Sequence, residues 1–122
     1  MARERKASAA ARDLQRIRAE VLLSMEGAVQ DGLRLVEDAA RQELTTKGHV
    51  KTGRLRESIA TQTRRIGETA VEGTVGSDVP YAPEIEALGD GGYLRPAFAR
   101  EGTRVTEVVG QRLEESMRRG AR

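Results

Sequence analysis

The 122-residue chain has no cysteine, no tryptophan and a single histidine, and its only aromatic side chains are Tyr81, Tyr93 and Phe98. Each scarcity closes a class of chemistry. Without cysteine there are no disulfide staples, no thiolate metal ligands and no thiol redox reactions. His49 has neither a cysteine nor a second histidine to share a metal with, and it reads as a plain loop residue. Hydrophobic residues make up 38% of the chain, but 16 of them are alanines, so the core must be thin. Burial stabilises by roughly 25 cal/mol per Å² of apolar surface. An alanine-rich chain therefore gains little per residue and benefits from burying further area against copies of itself. No uninterrupted apolar run approaches the ~18 residues of a membrane span, and none follows the charged residues 1–6. A soluble chain without a recognisable secretion signal is the expectation.

Catalytic constellations are also missing. No serine sits in a glycine-flanked nucleophile turn, and no base is placed to form a triad. Glu84 and Glu86 are two apart on an expected helix, so they do not face each other as an acid–base pair would. The run Asp90-Gly91-Gly92-Tyr93 lacks the spacing and the lysine of a phosphate cradle. The reading is a non-enzyme without a cofactor.

What is present is charge, and it is sorted along the chain. The net charge is only +2, yet residues 51–66 carry five basic side chains and one acidic, while residues 68–90 carry six acidic and no basic ones. Residues 1–20 hold six basic and three acidic side chains. A subunit with one basic and one acidic surface can dock head-to-tail on its neighbour, and such contacts close into rings when the rotation permits. Arg54, Arg56, Arg64 and Arg65 facing Glu68, Glu72, Asp78 and Glu84 are the candidate subunit-interface charges. Ordinary solvated surface is the bland alternative. A small basic DNA-binding protein is the functional alternative, because Lys51 and the four arginines could track a phosphate backbone. The absence of aromatics before residue 81 disfavours single-strand binding by stacking.

The length fits a single domain, 1–122, with residues 1–8 as a flexible or partner-ordered tail. Leu14, Ile17, Val21, Met25, Ala28, Leu33, Val36, Ala40 and Leu44 follow one helical face and predict a long helix from about Ala9 to Leu44, capped by Gly48. Such a helix is too long for a compact domain, so part of it projects or it bends, with Gly27 and Gly32 as the weak points. From Ser58 to Arg65, Ile59, Thr61, Thr63 and Arg65 alternate with Ser58, Ala60, Gln62 and Arg64, which predicts a strand. A turn at Gly67-Glu68 leads to a second strand from Thr69 to Gly76, with Val71, Gly73 and Val75 on one face. A lone hairpin is marginal in water, so it must pack on a helix or on further strands. A short helix is expected within Asp78 to Gly89, then a mobile connection at Asp90-Gly91-Gly92. A last amphipathic helix starts near Pro96, with Phe98, Gly102, Val105, Val109, Leu113 and Met117 on its stripe to Gly120. The class is α+β: long helix, antiparallel hairpin or small sheet, short helix, C-terminal helix.

Three segments, in order, carry a resemblance. Lys51-Thr52-Gly53-Arg54-Leu55-Arg56-Glu57-Ser58-Ile59 resembles a Thr-Gly-x-Leu-x-x-Ser-Ile element. Val75 to Gly89, with Gly76, Tyr81, Ala82, Ile85 and Glu86, is similar to a run of Val-Gly, Tyr-Ala and Glu-x-Gly. Leu94-Arg95-Pro96-Ala97-Phe98 looks like an Arg-Pro-Ala-Phe element opening a last helix. Together they resemble the phage tail-component family typified by the tail protein of phage Hong Kong 97, the neck or tail-completion proteins of siphovirus-like phages. Ala87-Leu88 departs from the family pattern, which often has an aromatic before the glycine.

The resemblance implies a structural virion protein of the head-to-tail junction, assembled in the bacterial host cytoplasm. It implies a homo-oligomeric ring, hexameric rather than dodecameric, between the head-closure layer and the tail terminator or tail tube. DNA would pass through the lumen without sequence-specific binding, and no membrane is involved. On these elements Thr52 is expected to cap a short turn at Gly53–Arg56, and Leu55 and Ile59 to enter the core. Gly76 is expected to end its strand in a conformation other residues resist, Tyr81 to pack on Ile85, and Arg95 to pair with Glu84 or Glu86.

Overall fold

The structure is a computed structural model that describes residues 2–47, 52–87 and 92–120, with the side chains of 8–47, 53–87 and 92–119. The elements run α1 (Ala2–Lys47), α2 (Thr52–Ser58), β1 (Ala60–Ile66), β2 (Ala70–Gly76), α3 (Ala82–Glu86) and α4 (Leu94–Gly120). This is the α+β arrangement, with a two-stranded antiparallel sheet. The expected cap at Gly48, His49 and the Asp90-Gly91 connection lie outside the described residues.

The 46 residues of α1 span roughly 70 Å at helical rise. A compact domain of this size has a radius of gyration of about 14 Å, so the helix cannot be buried along its length. It is packed only from about Leu22 onward, and every described side chain from Ser8 to Val21 is exposed. The accessible surface, 8672 Å² for 13.3 kDa, exceeds the roughly 6,500 Å² expected of a compact monomer, which is the signature of a projecting segment. The helical backbone also includes residues 2–8, which the sequence suggested as a tail.

Neither glycine breaks α1. Gly27 is exposed and open, and Gly32 is a packing device. A Cβ there would lie 3.1 Å from both Val105 Cγ1 and Val109 Cγ2, so its absence lets α4 close onto α1. The two helices run antiparallel, joined by Ser24 to Ser116 at 2.5 Å near one end and by the Arg100 guanidinium donating to the Ala39 carbonyl at 3.2 Å near the other. Between them Arg112 Nε donates to the Asp31 carboxylate at 2.8 Å.

The hairpin packs on another side of the same stretch of α1. Its register pairs Thr61 with Val75, Thr63 with Gly73 and Arg65 with Val71, and Gly67 turns the chain at φ +62. The faces turned toward α1 are those of Thr61, Thr63 and Arg65 and of Val71, Gly73 and Val75. Thr61 donates to Glu37 at 2.8 Å, Arg65 reaches Glu26, and Gly73 sits where a Cβ would collide with Val29 and Leu33. The core gathers Leu33, Val36, Ala39, Ala40 and Leu44 of α1 with Leu55, Ile59, Val79, Ala82, Tyr93 and Ala97.

Four expectations need correction. Ser58 ends α2 and does not begin β1: Leu55 and Ile59 are four apart and both buried, so one helical turn serves the core better than an extended chain. The short helix is confined to five residues, because Val79 and Pro80 lead into a turn closed by Ala82 N–H on the Val79 carbonyl at 3.0 Å. Phe98 and Met117, at the two ends of the expected α4 stripe, are exposed, and Ala97 takes the buried place in the core, while Val105, Val109 and Leu113 in the middle of the stripe stay partly buried. Gly76 has no positive φ; among the described glycines that conformation belongs to Gly67 and Gly92.

Candidate functional site

The three motif segments are far apart in sequence, and short polar links join them around the core. The first link is a relay. Val79 N–H donates to Ser77 Oγ at 3.1 Å, Ser77 and Ser58 share a hydroxyl hydrogen bond, and Ser58 Oγ donates to the Leu55 carbonyl at 2.7 Å. With Val79 donating into Ser77 and Ser58 donating to Leu55, the shared proton belongs to Ser77. Segment 52–59 is thereby tied to the chain leaving β2, and each hydroxyl satisfies a half-buried group that would otherwise be unpaired.

The second link is Glu86. Its carboxylate accepts from the backbone N–H groups of Tyr93 and Leu94, both at 2.9 Å, and of Arg95 at 3.0 Å. Those N–H groups lie at the first turn of α4, where no helical carbonyl precedes them, and a negative charge there also meets the positive end of the helix dipole. Arg95 Nε lies 3.7 Å from the same carboxylate, which places its expected pairing on Glu86 and leaves Glu84 exposed. Gly92 is required for this approach. It has φ +77, and a Cβ would come within 2.6 Å of the Glu86 carbonyl and 2.8 Å of its carboxyl carbon. Pro96, in the first turn, has no N–H to leave unmet.

The third link comes from α1. Arg41 donates through Nε to the Arg56 carbonyl at 3.2 Å and through Nη2 to the Ile59 carbonyl at 2.8 Å, and Glu37 holds it at 2.7 Å. A guanidinium on the last carbonyls of α2 satisfies acceptors that the helix end leaves free. Arg100 and Lys47 converge on Glu43 at 3.2 and 3.6 Å, and Lys47 also donates to the Gly92 carbonyl. Tyr93 is among the most buried large side chains, at 2% exposure. Burial first, and then the Glu86 charge, push its phenol above the ordinary tyrosine value.

Other motif residues complete the core. Leu55 and Ile59 are buried as expected, Ala82 is buried, and Val75, Tyr81, Ile85 and Leu94 pack against the cluster from its edge. Tyr81 and Ile85 are joined by a backbone hydrogen bond of 3.2 Å. Gly53 is exposed, Gly89 lies outside the described residues, and so does the Thr52 side chain. The segment it was to cap is the seven-residue helix α2.

The candidate interface charges divide. Arg64 pairs with Glu72 across the hairpin at 2.7 Å, Arg65 with Glu26, and Arg56 donates to Thr45 Oγ1 at 3.0 Å. Arg54, Glu68, Asp78 and Glu84 are exposed. The basic cluster is therefore partly neutralised within the chain.

Arg41, Glu37, Ser77, Tyr93 and Glu43 were missed from the sequence. Their roles depend on partners 7 to 57 residues away, which no local pattern signals. The described residues contain no group of three acidic or histidine side chains placed to hold a metal ion. The arrangement is a set of helix-end caps and junction hydrogen bonds that tie the segments around the core. No family model matches the chain, and neither does any curated protein or solved structure.

Proposed function

We propose that the chain is a structural subunit of the head-to-tail junction of a long-tailed phage or prophage-derived particle. Copies of it form a ring between the head-closure layer and the tail terminator or tail tube. The observation that supports this reading is that the three segments resembling neck proteins are joined by side-chain links between each other's backbones. Ser58 to Ser77 joins the first to the second, and Glu86 to Tyr93, Leu94 and Arg95 joins the second to the third. Residues that resemble a family motif thereby have a common physical task, locking α2, the hairpin base and the α4 start around one core. The exposed charges Arg54, Glu68, Asp78 and Glu84 remain free to meet a neighbour.

The test is the mass-resolved solution size of the purified chain, alone and mixed with candidate head-closure and tail-terminator proteins. A ring, or a monomer recruited into a ring by a neighbour, is the expected result. A monomer that ignores both neighbours and binds duplex DNA with a steep salt dependence would overturn it in favour of the DNA-binding alternative.

A further inference from the structure

The projecting part of α1 carries an apolar stripe that none of the described residues covers. Leu14 and Ile17 are each 51% exposed and Val21 46% exposed. The stripe is in register with the covered seam below it. Positions 10, 14, 17, 21, 24, 28 and 31 follow alternating steps of four and three, the spacing of a coiled-coil seam. At its lower end Ser24 meets Ser116, Ala28 is buried, and Asp31 binds Arg112. The face that α4 occupies from Ser24 onward thus continues upward through Val21, Ile17 and Leu14, and since α4 runs about one turn past Ser116, to Gly120, Ile17 and Leu14 lie beyond its reach.

We propose that this face, residues 10–21, is a self-association site whose occupant is the same segment of further copies of this chain, aligned in parallel. Charge selects both the occupant and the direction. With Leu14 and Val21 at one seam position and Ile17 at the other, Asp13 and Glu20 flank one edge and Arg18 the opposite edge. In a parallel pair, Asp13 of one copy faces Arg18 of the next, and by symmetry the reverse pair forms as well. In an antiparallel pair the acidic edges would meet each other, Asp13 and Glu20 against their own counterparts, which is repulsive. Arg12 and Arg16 lie off the seam; in the protomer Arg16 Nη2 is 3.6 Å from Asp13 in an exposed i,i+3 pair, a weak contact that Arg18 of a neighbouring copy shares or displaces. Leucine followed by isoleucine at the two seam positions favours bundles of three or more helices over two.

The segment spans fewer than two full heptads, so it associates in a concentration-dependent way unless other contacts hold the copies together. Parallel alignment is also what copies around a ring axis adopt when their helices run along that axis, and in this respect the inference rests on the self-association in the proposed ring. It does not depend on which particle the ring belongs to.

The experiment is sedimentation velocity of the full chain across a concentration series, with variants at positions exposed in the protomer. Ile17→Lys is expected to weaken self-association by about tenfold or more while circular dichroism and the unfolding midpoint of the dilute protein stay unchanged. Asp13→Arg and Arg18→Asp are each expected to weaken it, and the double variant D13R/R18D to restore it. Self-association that survives Ile17→Lys would overturn this site and leave the ring reading standing. A wild-type chain that stays monomeric at every concentration would overturn it too, and recruitment by the candidate neighbours would then decide the ring reading separately. Association through this stripe without binding to either neighbour would sustain the site and sink the neck assignment.

Discussion

The two halves of α1 are one helix whose apolar side chains meet two different fates. From Leu33 to Leu44 its side chains form the backbone of the core, with Val36, Ala40 and Leu44 fully buried. From Leu14 to Val21 comparable side chains stand about half exposed. Periodicity states that a face needs covering and says nothing of what covers it. In the lower half the cover is supplied by α4 and the hairpin; in the upper half the chain runs out of elements.

The comparison can be broken by substitution. Leu44→Ala is expected to cost about 2–5 kcal/mol, since the side chain is fully enclosed and the core is too small to collapse around the hole. Denaturant unfolding of the dilute protein measures it. Gly73→Val, which drives a branched side chain into Val29 and Leu33, should cost about 1–3 kcal/mol through overpacking, read from the same curves. Glu86→Ala leaves the first N–H groups of α4 without their acceptor, and a loss of about 1–2 kcal/mol is expected. Faster amide exchange confined to the start of α4 would distinguish this loss from global destabilisation.

A smaller effect follows from Tyr93. Its folded-state pKa is raised above the unfolded value, so the folded chain keeps the phenol protonated where the unfolded chain has begun to ionise. Stability from this group is fully present below about pH 10 and declines as the pH rises beyond it. Tyr93→Phe should flatten that decline in urea midpoints measured on either side of this value. Smallest of all, Leu14→Ala should change the stability of the dilute protein by less than about 0.5 kcal/mol. A cost near that of Leu44→Ala would mean the upper stripe is covered within the protomer after all, and the contrast between the halves would disappear.

Several features of the fold were legible from residue order alone. The long helix, the sharing of one face by Thr61, Thr63 and Arg65 and of another by Val71, Gly73 and Val75, and the turn at Gly67 all rest on local periods and on one residue type with special backbone freedom. The pairing of Arg95 with one of two nearby glutamates was legible as well, since its partner is nine residues away. The end of α2 was not. Ser58 sits in a segment with strand-like composition, and it is helical because α2 carries Leu55 into the core and runs on to Ser58, just before the buried Ile59. Gly32 and Gly73 read as weak points or gaps, and are instead places where another element presses close.

Local chemistry by itself determined the long helix, the hairpin, the short helix and the C-terminal helix and their order, because these follow from spacing and from side-chain shape within a few residues. Tertiary structure alone decided which carbonyls Arg41 caps, which helix Glu86 holds, and how far up α1 the packing reaches. Those outcomes depend on distances between groups that become neighbours only when the chain closes on itself, and a period in the sequence carries no record of such distances.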